Sequence, residues 1–277
     1  MHTDELRGCT ALVTGGGRGL GRAFATALAK AGAAVAIAAR SRDQLVQTET
    51  LIRDHGGAAV SVAADVSDPD SVRAMMMQVE NALGPVDLLV NNAGTGGPFG
   101  PTWEADAEEW WSCLEINLRS AVLCCHAVLP SMIARGRGRI INVASGAGAA
   151  PIAYMSAYVT SKAALIHFTE TLAAETRPHG IAVFSIHPGT VRTSLSEDLM
   201  GSAKGRRWLP WFQSIFERGQ DVSPDAASRL VLFLASGAAD RLSGRFFTVQ
   251  EDPAEVVRRA GEVESDDLYV LRLRRLT

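Results

Sequence analysis

Aromatic side chains, cysteine spacing patterns, any excess of basic charge and long apolar runs are scarce or missing in this chain, and each shortage narrows its reading. Phe, Trp and Tyr make up 6% of the 277 residues. Alanine and glycine abound instead, which favours helices packed closely on strands. Cys9, Cys113, Cys124 and Cys125 show neither CxxC nor metal-ligand spacing, so no disulfide framework and no metal site are expected. Cys124 and Cys125 sit in an apolar helical stretch and read as buried thiols, with a reducing cytoplasm as the expected compartment. No stretch reaches the roughly 18 consecutive apolar residues of a membrane-spanning helix. A charged start followed by an apolar h-region, the mark of a signal peptide, is not seen either. The formal net charge is -3, and the one short basic run, "RLRRL", lies near the end. Neither a nucleic-acid partner nor a membrane partner is expected.

What is present is ample material for a core: 47% of residues are hydrophobic, enough to cover both faces of a sheet. Short apolar runs at 10–14, 34–39, 59–64, 86–90, 139–144, 181–186 and 246–249 read as strands. Several are apolar throughout, as strands covered on both faces should be. Helix-period segments lie between them at 20–31, 43–55, 69–83, 107–134, 157–177 and 224–235. Asp68-Pro69 and Ser223-Pro224 each place a capping side chain before a proline at the first helical position. Gly32, Gly56, Gly84 and Gly180 supply the stops. The β-α alternation predicts one α/β domain over 1–250, a doubly wound parallel sheet of about seven strands with helices on both faces. Two regions break the rhythm: the Trp-, Phe- and Leu-rich 194–222, and a charged extension over 251–277.

The first strand runs into Thr14-Gly15-Gly16-Gly17-Arg18-Gly19-Leu20-Gly21, which opens a helix. Such a turn lets backbone N–H groups and a helix N-terminus approach a pyrophosphate. The spacing is Gly15-x-x-x-Gly19-x-Gly21 rather than G-x-G-x-x-G. Asp65-Val66 follows the third strand and Asn91-Asn92-Ala93-Gly94 the fourth; then come Asn117, Ser145, Tyr158-x-x-x-Lys162 and Pro188-Gly189. This ordered set resembles the short-chain dehydrogenase/reductase family over about residues 6–250. The resemblance implies a Rossmann fold and a nicotinamide dinucleotide. Gly15, Gly17, Arg18, Gly19, Leu20 and Gly21 would cradle its phosphates, and Asp65 and Val66 its adenine. Asn92, Ala93 and Gly94 would support the cofactor, and Pro188, Gly189, Val191 and Thr193 would lie toward the carboxamide end.

The end of the second strand speaks to NADP against NAD. An acidic residue there would hold a ribose 2′-hydroxyl and repel a 2′-phosphate. Ala39 and Arg40 occupy it instead, and Arg18 lies within reach in the glycine loop. NADP(H) is the expected cofactor, with NAD(H) as the alternative.

Tyr154, Tyr158 and Lys162 stand at successive steps of four, and residues four apart share a helix face. Delivering a proton to a carbonyl oxygen near neutral pH asks a phenol of pKa about 10 to work beside a positive charge. Only Tyr158 is one turn from Lys162. The resemblance implies Tyr158 as acid/base, Ser145 as the group that orients the substrate oxygen, and Lys162 as the cation that lowers the tyrosine pKa and holds the ribose. Asn117 would hold a water in a relay to Lys162. Tyr154 is left as pocket wall or packing, and His187 as a general base or a structural histidine.

In the family the segment after Pro-Gly covers the substrate. Here Trp208 and Trp211 are its candidate contacts, in a lid that glycines 201 and 205 would let move over a hydrophobic carbonyl or alcohol. A helical pair packed into the body, or a subunit contact, is the other reading. Family members commonly assemble as tetramers, so a homo-oligomer (tetramer or dimer) is expected. The extension should form a helix over 253–260 and an extended run over 268–276, reaching a neighbour or packing on its own edge. The expected activity is interconversion of a ketone or aldehyde with its alcohol. The rival from another class is a non-catalytic dinucleotide sensor on the same fold.

Overall fold

The computed structural model describes residues 5–273. Strands β1 (Thr10–Thr14), β2 (Ala34–Ala39), β3 (Ala59–Ala63), β4 (Leu88–Asn91), β5 (Gly138–Val143), β6 (Ile181–His187) and β7 (Phe246–Thr248) form one parallel sheet. Their order is 3-2-1-4-5-6-7. Each strand turns alternate side chains to opposite faces. Val13, Val35 and Ile37 face helices α1 (Gly19–Lys30), α2 (Arg42–Asp54) and α10 (Pro224–Ala235), packing with Phe24, Leu45 and Val231. Leu12, Ala36 and Leu89 face α3 (Pro69–Leu83), α5 (Ser120–Arg135) and α6 (Ser156–Thr176), packing with Met75, Val128 and Leu172. Both faces are covered, which is why the strands are apolar at consecutive positions. Full burial of a side chain such as Leu12 or Leu89 contributes about 1.5–3 kcal/mol. The chain reverses its winding between β1 and β4, opening a crevice beyond their carboxyl ends.

The capping signals act as their chemistry predicts. Asp68 accepts from the Ser71 N–H at 2.9 Å, and Ser223 from the Asp225 N–H at 3.2 Å, each ahead of a proline in the first turn. Gly180 ends its helix at φ 71, where an added Cβ would lie 2.5 Å from the Gly136 carbonyl oxygen. The long helix predicted over 107–134 is three pieces: α4 (Ala107–Leu114), a π turn over Glu115–Arg119, and α5. By length and composition this body could cross a membrane, but Cys113, Asn117, Cys124, Cys125 and Met132 are buried in the protein, as in a core helix.

Residues 194–222 are helical too, as α7 (Ser194–Gly201), α8 (Ala203–Trp208) and α9 (Pro210–Glu217). Gly205 is in close contact. It is buried within α8, and a Cβ there would lie 1.9 Å from the Leu199 carbonyl oxygen, so the missing side chain permits close packing. The extension forms α11 (Pro253–Arg258) and α12 (Ala260–Ser265), whose Val256, Ala260 and Val263 join the core. Beyond them the Tyr269 carbonyl accepts from the Phe246 N–H at 2.9 Å, on β7. Arg272 donates to Glu170 of α6 at 2.8 Å. The described part of the run predicted as extended, 268–273, forms no strand, and the remainder of "RLRRL" lies outside the described residues.

Candidate active site

At the end of β1 the backbone folds tightly enough to exclude side chains. Gly15 sits at φ 65 and Gly19 at φ 54; a Cβ on Gly21 would lie 2.2 Å from the Gly15 carbonyl oxygen. Thr14 Oγ1 accepts from the N–H groups of Asn92 (3.0 Å) and Ala93 (3.1 Å), tying this turn to the loop after β4. From the other side Arg22 Nη2 donates to the Gly17 carbonyl at 2.6 Å, and Thr48 Oγ1 donates to the same oxygen at 3.1 Å. Arg22 and Thr48 carry no motif of their own, so the sequence did not single them out. The result is a backbone cradle at the N-terminus of α1, and a pyrophosphate fits such a cradle through N–H donors and the helix dipole.

The cradle forms one end of a cavity of about 810 Å³. Gly15, Gly17, Arg18, Gly19, Leu20 and Gly21 line it, with Arg40, Asp65 and Val66 beside them. Asn92, Ala93 and Gly94 continue the wall, as do Pro188, Gly189, Val191 and Thr193; Thr193 stands against the cradle, its Cγ2 3.5 Å from where a Cβ on Gly19 would lie. Asp65 accepts from the Ser67 N–H (2.9 Å) and hydroxyl (2.6 Å), and these bonds, hydroxyl first, hold its carboxyl below the ordinary range.

At the other end Ser145, just beyond β5, meets the first turns of α6. Its hydroxyl lies close enough to the Tyr158 phenol to act on its proton affinity, and accepts from the Ala147 N–H at 3.2 Å. Burial pushes the Tyr158 phenol above its ordinary pKa, and the Ser145 hydroxyl offsets part of the rise. Lys162, one turn on, donates to the Val143 carbonyl at 2.9 Å, with Nζ 5.7 Å from the Tyr158 ring centroid. Burial lowers its pKa to about 8, so it still carries charge near neutral pH.

Asn117 lies in the π turn, buried behind the cavity wall. Its Oδ1 accepts from the Thr95 N–H at 2.8 Å; Nδ2 donates to the Thr95 carbonyl (2.9 Å), Ser161 Oγ (2.9 Å) and Cys113 Sγ (3.3 Å). A Cβ on Gly94 would lie 3.0 Å from Asn117 Oδ1 and 3.6 Å from Lys162 Nζ, so the two side chains flank one glycine. His187, the last residue of β6, lines the cavity with Nδ1 buried and unpaired, and burial pushes its pKa down, leaving it neutral.

The remaining wall is apolar. Trp211 lines it, as do Phe99, Ile152, Met155, Leu199 and Phe212. Phe99, Ile152 and Met155 come from loops whose sequence carries no marker. Tyr154 and Trp208 lie off the wall: Tyr154 precedes α6 at φ 69, and its ring centroid is 4.6 Å from that of Trp208. Among the described residues no group of three or more His, Cys, Asp or Glu side chains gathers as metal ligands would.

Comparison with known proteins agrees with this geometry. The pattern of the family described as short chain dehydrogenase matches residues 9–202. A short chain dehydrogenase of Pseudocercospora fijiensis is 36% identical over 280 residues, covering 97% of this chain and 90% of that protein. The crystal structure of a short-chain type dehydrogenase/reductase from Mycobacterium marinum superposes with a TM-score of 0.81 at 34% identity, over 89% of this chain and 95% of the other. An NAD+-bound xylitol dehydrogenase structure gives a TM-score of 0.81 at 30% identity, over 88% of this chain and 98% of the other. Sequence kinship along nearly the whole chain thus accompanies a shared fold. The chain belongs to the short-chain dehydrogenase/reductase family, the NAD(P)-dependent oxidoreductases.

Proposed function

We propose that the protein interconverts a ketone or aldehyde and its alcohol on a hydrophobic small molecule, using NADP(H), with Tyr158 as acid/base. The observation that carries this reading is the cavity itself: a glycine cradle, the Ser145 and Tyr158 hydroxyls beside Lys162, and an apolar wall line one space. Bound along the cradle, the reduced nicotinamide would supply hydride to the carbonyl carbon. Ser145 donates a hydrogen bond to the carbonyl oxygen and orients it. Tyr158 gives that oxygen its proton. The Lys162 ammonium, one turn away, stabilises the phenolate left behind. Asn117 spends both amide hydrogens on protein partners, which suits it to positioning the Thr95 loop beside Lys162 rather than to holding a water by its side chain. An intact acid/base set argues against a non-catalytic sensor, which needs no such arrangement.

Arg40 and Arg18 at the adenosine end, with no acid at the end of β2, support NADP over NAD. The NAD+-bound relative keeps NAD as the second reading. Dissociation constants of the two reduced cofactors decide between them, and NADH binding as tightly as NADPH would sink the assignment. Arg40→Ala should weaken NADPH selectively by roughly 1–3 kcal/mol, the range of a charge-assisted hydrogen bond. Turnover of NADPH with a panel of aryl and alkyl ketones tests the reaction; no oxidation with any of them would refute it. Four free thiols support the cytoplasm as the compartment.

A further inference from the structure

Tyr154 and Trp208 are aromatic residues of this region that the cavity leaves out, and what they do instead is specific. Tyr154 holds a left-handed backbone at φ 69, which is unfavourable for a side chain of its size and persists where the surroundings enforce it. That conformation sets its ring 4.6 Å from the Trp208 ring, centroid to centroid, at a tilt of 40°. The Arg207 guanidinium lies over the Trp208 ring at 4.6 Å. The Tyr154 carbonyl accepts from the Gly100 N–H at 3.0 Å, and Gly100 makes room for the indole: a Cβ there would lie 3.2 Å from Trp208 Nε1. Trp208 ends α8, Leu209 beside it is buried against Met155 and Leu199, and the next residues begin α9, whose Trp211 and Phe212 line the cavity.

We infer that the Tyr154–Trp208 stack is a latch: it fixes α8 and α9 over the cavity and so sets the size of substrate admitted, without touching the substrate. Tyr154 and Trp208 are positioning residues in this arrangement, and Trp211 and Phe212 are the surface they position. The size-selecting part rests on the reading of the cavity as a carbonyl site.

Tyr154→Ala, Trp208→Ala, the double variant and the conservative Trp208→Phe test it by two readouts. Hydrogen exchange of amides 203–217 in the NADPH complex needs no turnover. Each single alanine variant should speed it about tenfold or more, the double variant no further than either single one, and Trp208→Phe should restore most of the protection. In the second readout, initial rates on a size series of aryl ketones, the alanine variants should raise KM for small ketones severalfold with kcat within about threefold. Their preference for small over bulky ketones should shrink, while NADPH affinity stays within about twofold. Wild-type exchange in both single variants, or effects that simply add in the double one, would overturn the latch. Faster exchange with unchanged size preference would overturn its role in selection. If the wild-type protein reduces no ketone, the carbonyl reading fails while exchange still judges the latch. Should Trp208→Ala not fold, Tyr154→Ala against Trp208→Phe carries the same comparison.

Discussion

Burial shifts Tyr158 and Lys162 in opposite directions. The phenol is pushed up and the ammonium down to about 8, so the phenol holds its proton more tightly than the ammonium does, the reverse of their order in water. Tyr158→Phe removes the transferable proton and little else; turnover should be lost while NADPH still binds, as titration of the variant will show. Lys162 also makes stability depend on pH. Its folded pKa of about 8 lies below the ordinary 10.5, so between those values the unfolded chain binds more protons. This group therefore costs stability in full below about pH 8, and the cost is relieved as pH rises toward 10.5. In the cofactor-free protein, any stability advantage of Lys162→Met over wild type should shrink between about pH 7 and about pH 9.5. The change should be on the order of 2 kcal/mol, since one pKa unit is about 1.4 kcal/mol. Urea unfolding at the two pH values measures it, and a pH-independent difference would mean the ammonium is not buried as drawn. The four-residue step from Tyr158 to Lys162 was legible in the sequence because helix geometry repeats. Where Tyr154 stands was not, because a left-handed residue ahead of the helix takes it off that face.

Among the elements, α7, α8 and α9 depart most from what their residues imply. Glycines 201 and 205 suggest a loose lid. The structure has compact helices, with Leu199, Leu209 and Phe216 buried and a Thr193–Ser196 capping box starting α7. Gly205→Ala is the decisive change here. Its Cβ would meet the Leu199 carbonyl, a backbone atom that cannot step aside, so we expect a loss of about 1–3 kcal/mol, the usual cost of overpacking. Thermal unfolding reads the loss, and hydrogen exchange should confine it to α7 and α8. A variant as stable as wild type would restore the hinge reading. A single glycine in a sequence does not say whether it serves freedom or contact, because the atom it would strike comes from another helix. The π turn at Glu115–Arg119 was hidden for a similar reason: the apolar period runs on through it, while Asn117 bonds outward to Thr95 and Ser161.

For the whole molecule the open matter is association. Trp111 on α4 and Val122 and Ile133 on α5 are exposed, whereas the edge at β7 is already covered by the chain's own extension. Tyr269 stacks on Phe247 at 6.5 Å, Leu271 packs near Phe246, and Arg272 binds Glu170. A dimer through the α4–α5 face is the expected state, with no second contact at β7. Sedimentation should show a dimer that Trp111→Glu dissociates; a tetramer for the full chain would refute this. The sheet, its order of elements and the Ser145–Tyr158–Lys162 set were determined by the sequence itself. Strand alternation, caps and four-residue steps are local rules, and ordered motifs survive any arrangement of the rest. Tertiary structure alone decided that Arg22 and Thr48 brace the glycine turn and that Phe99, Ile152 and Met155 meet Trp211 across one cavity. It also decided that Trp208 lies on Tyr154 instead of in the cavity. Such contacts join residues tens of positions apart, and no local periodicity encodes which side chains a fold will bring together.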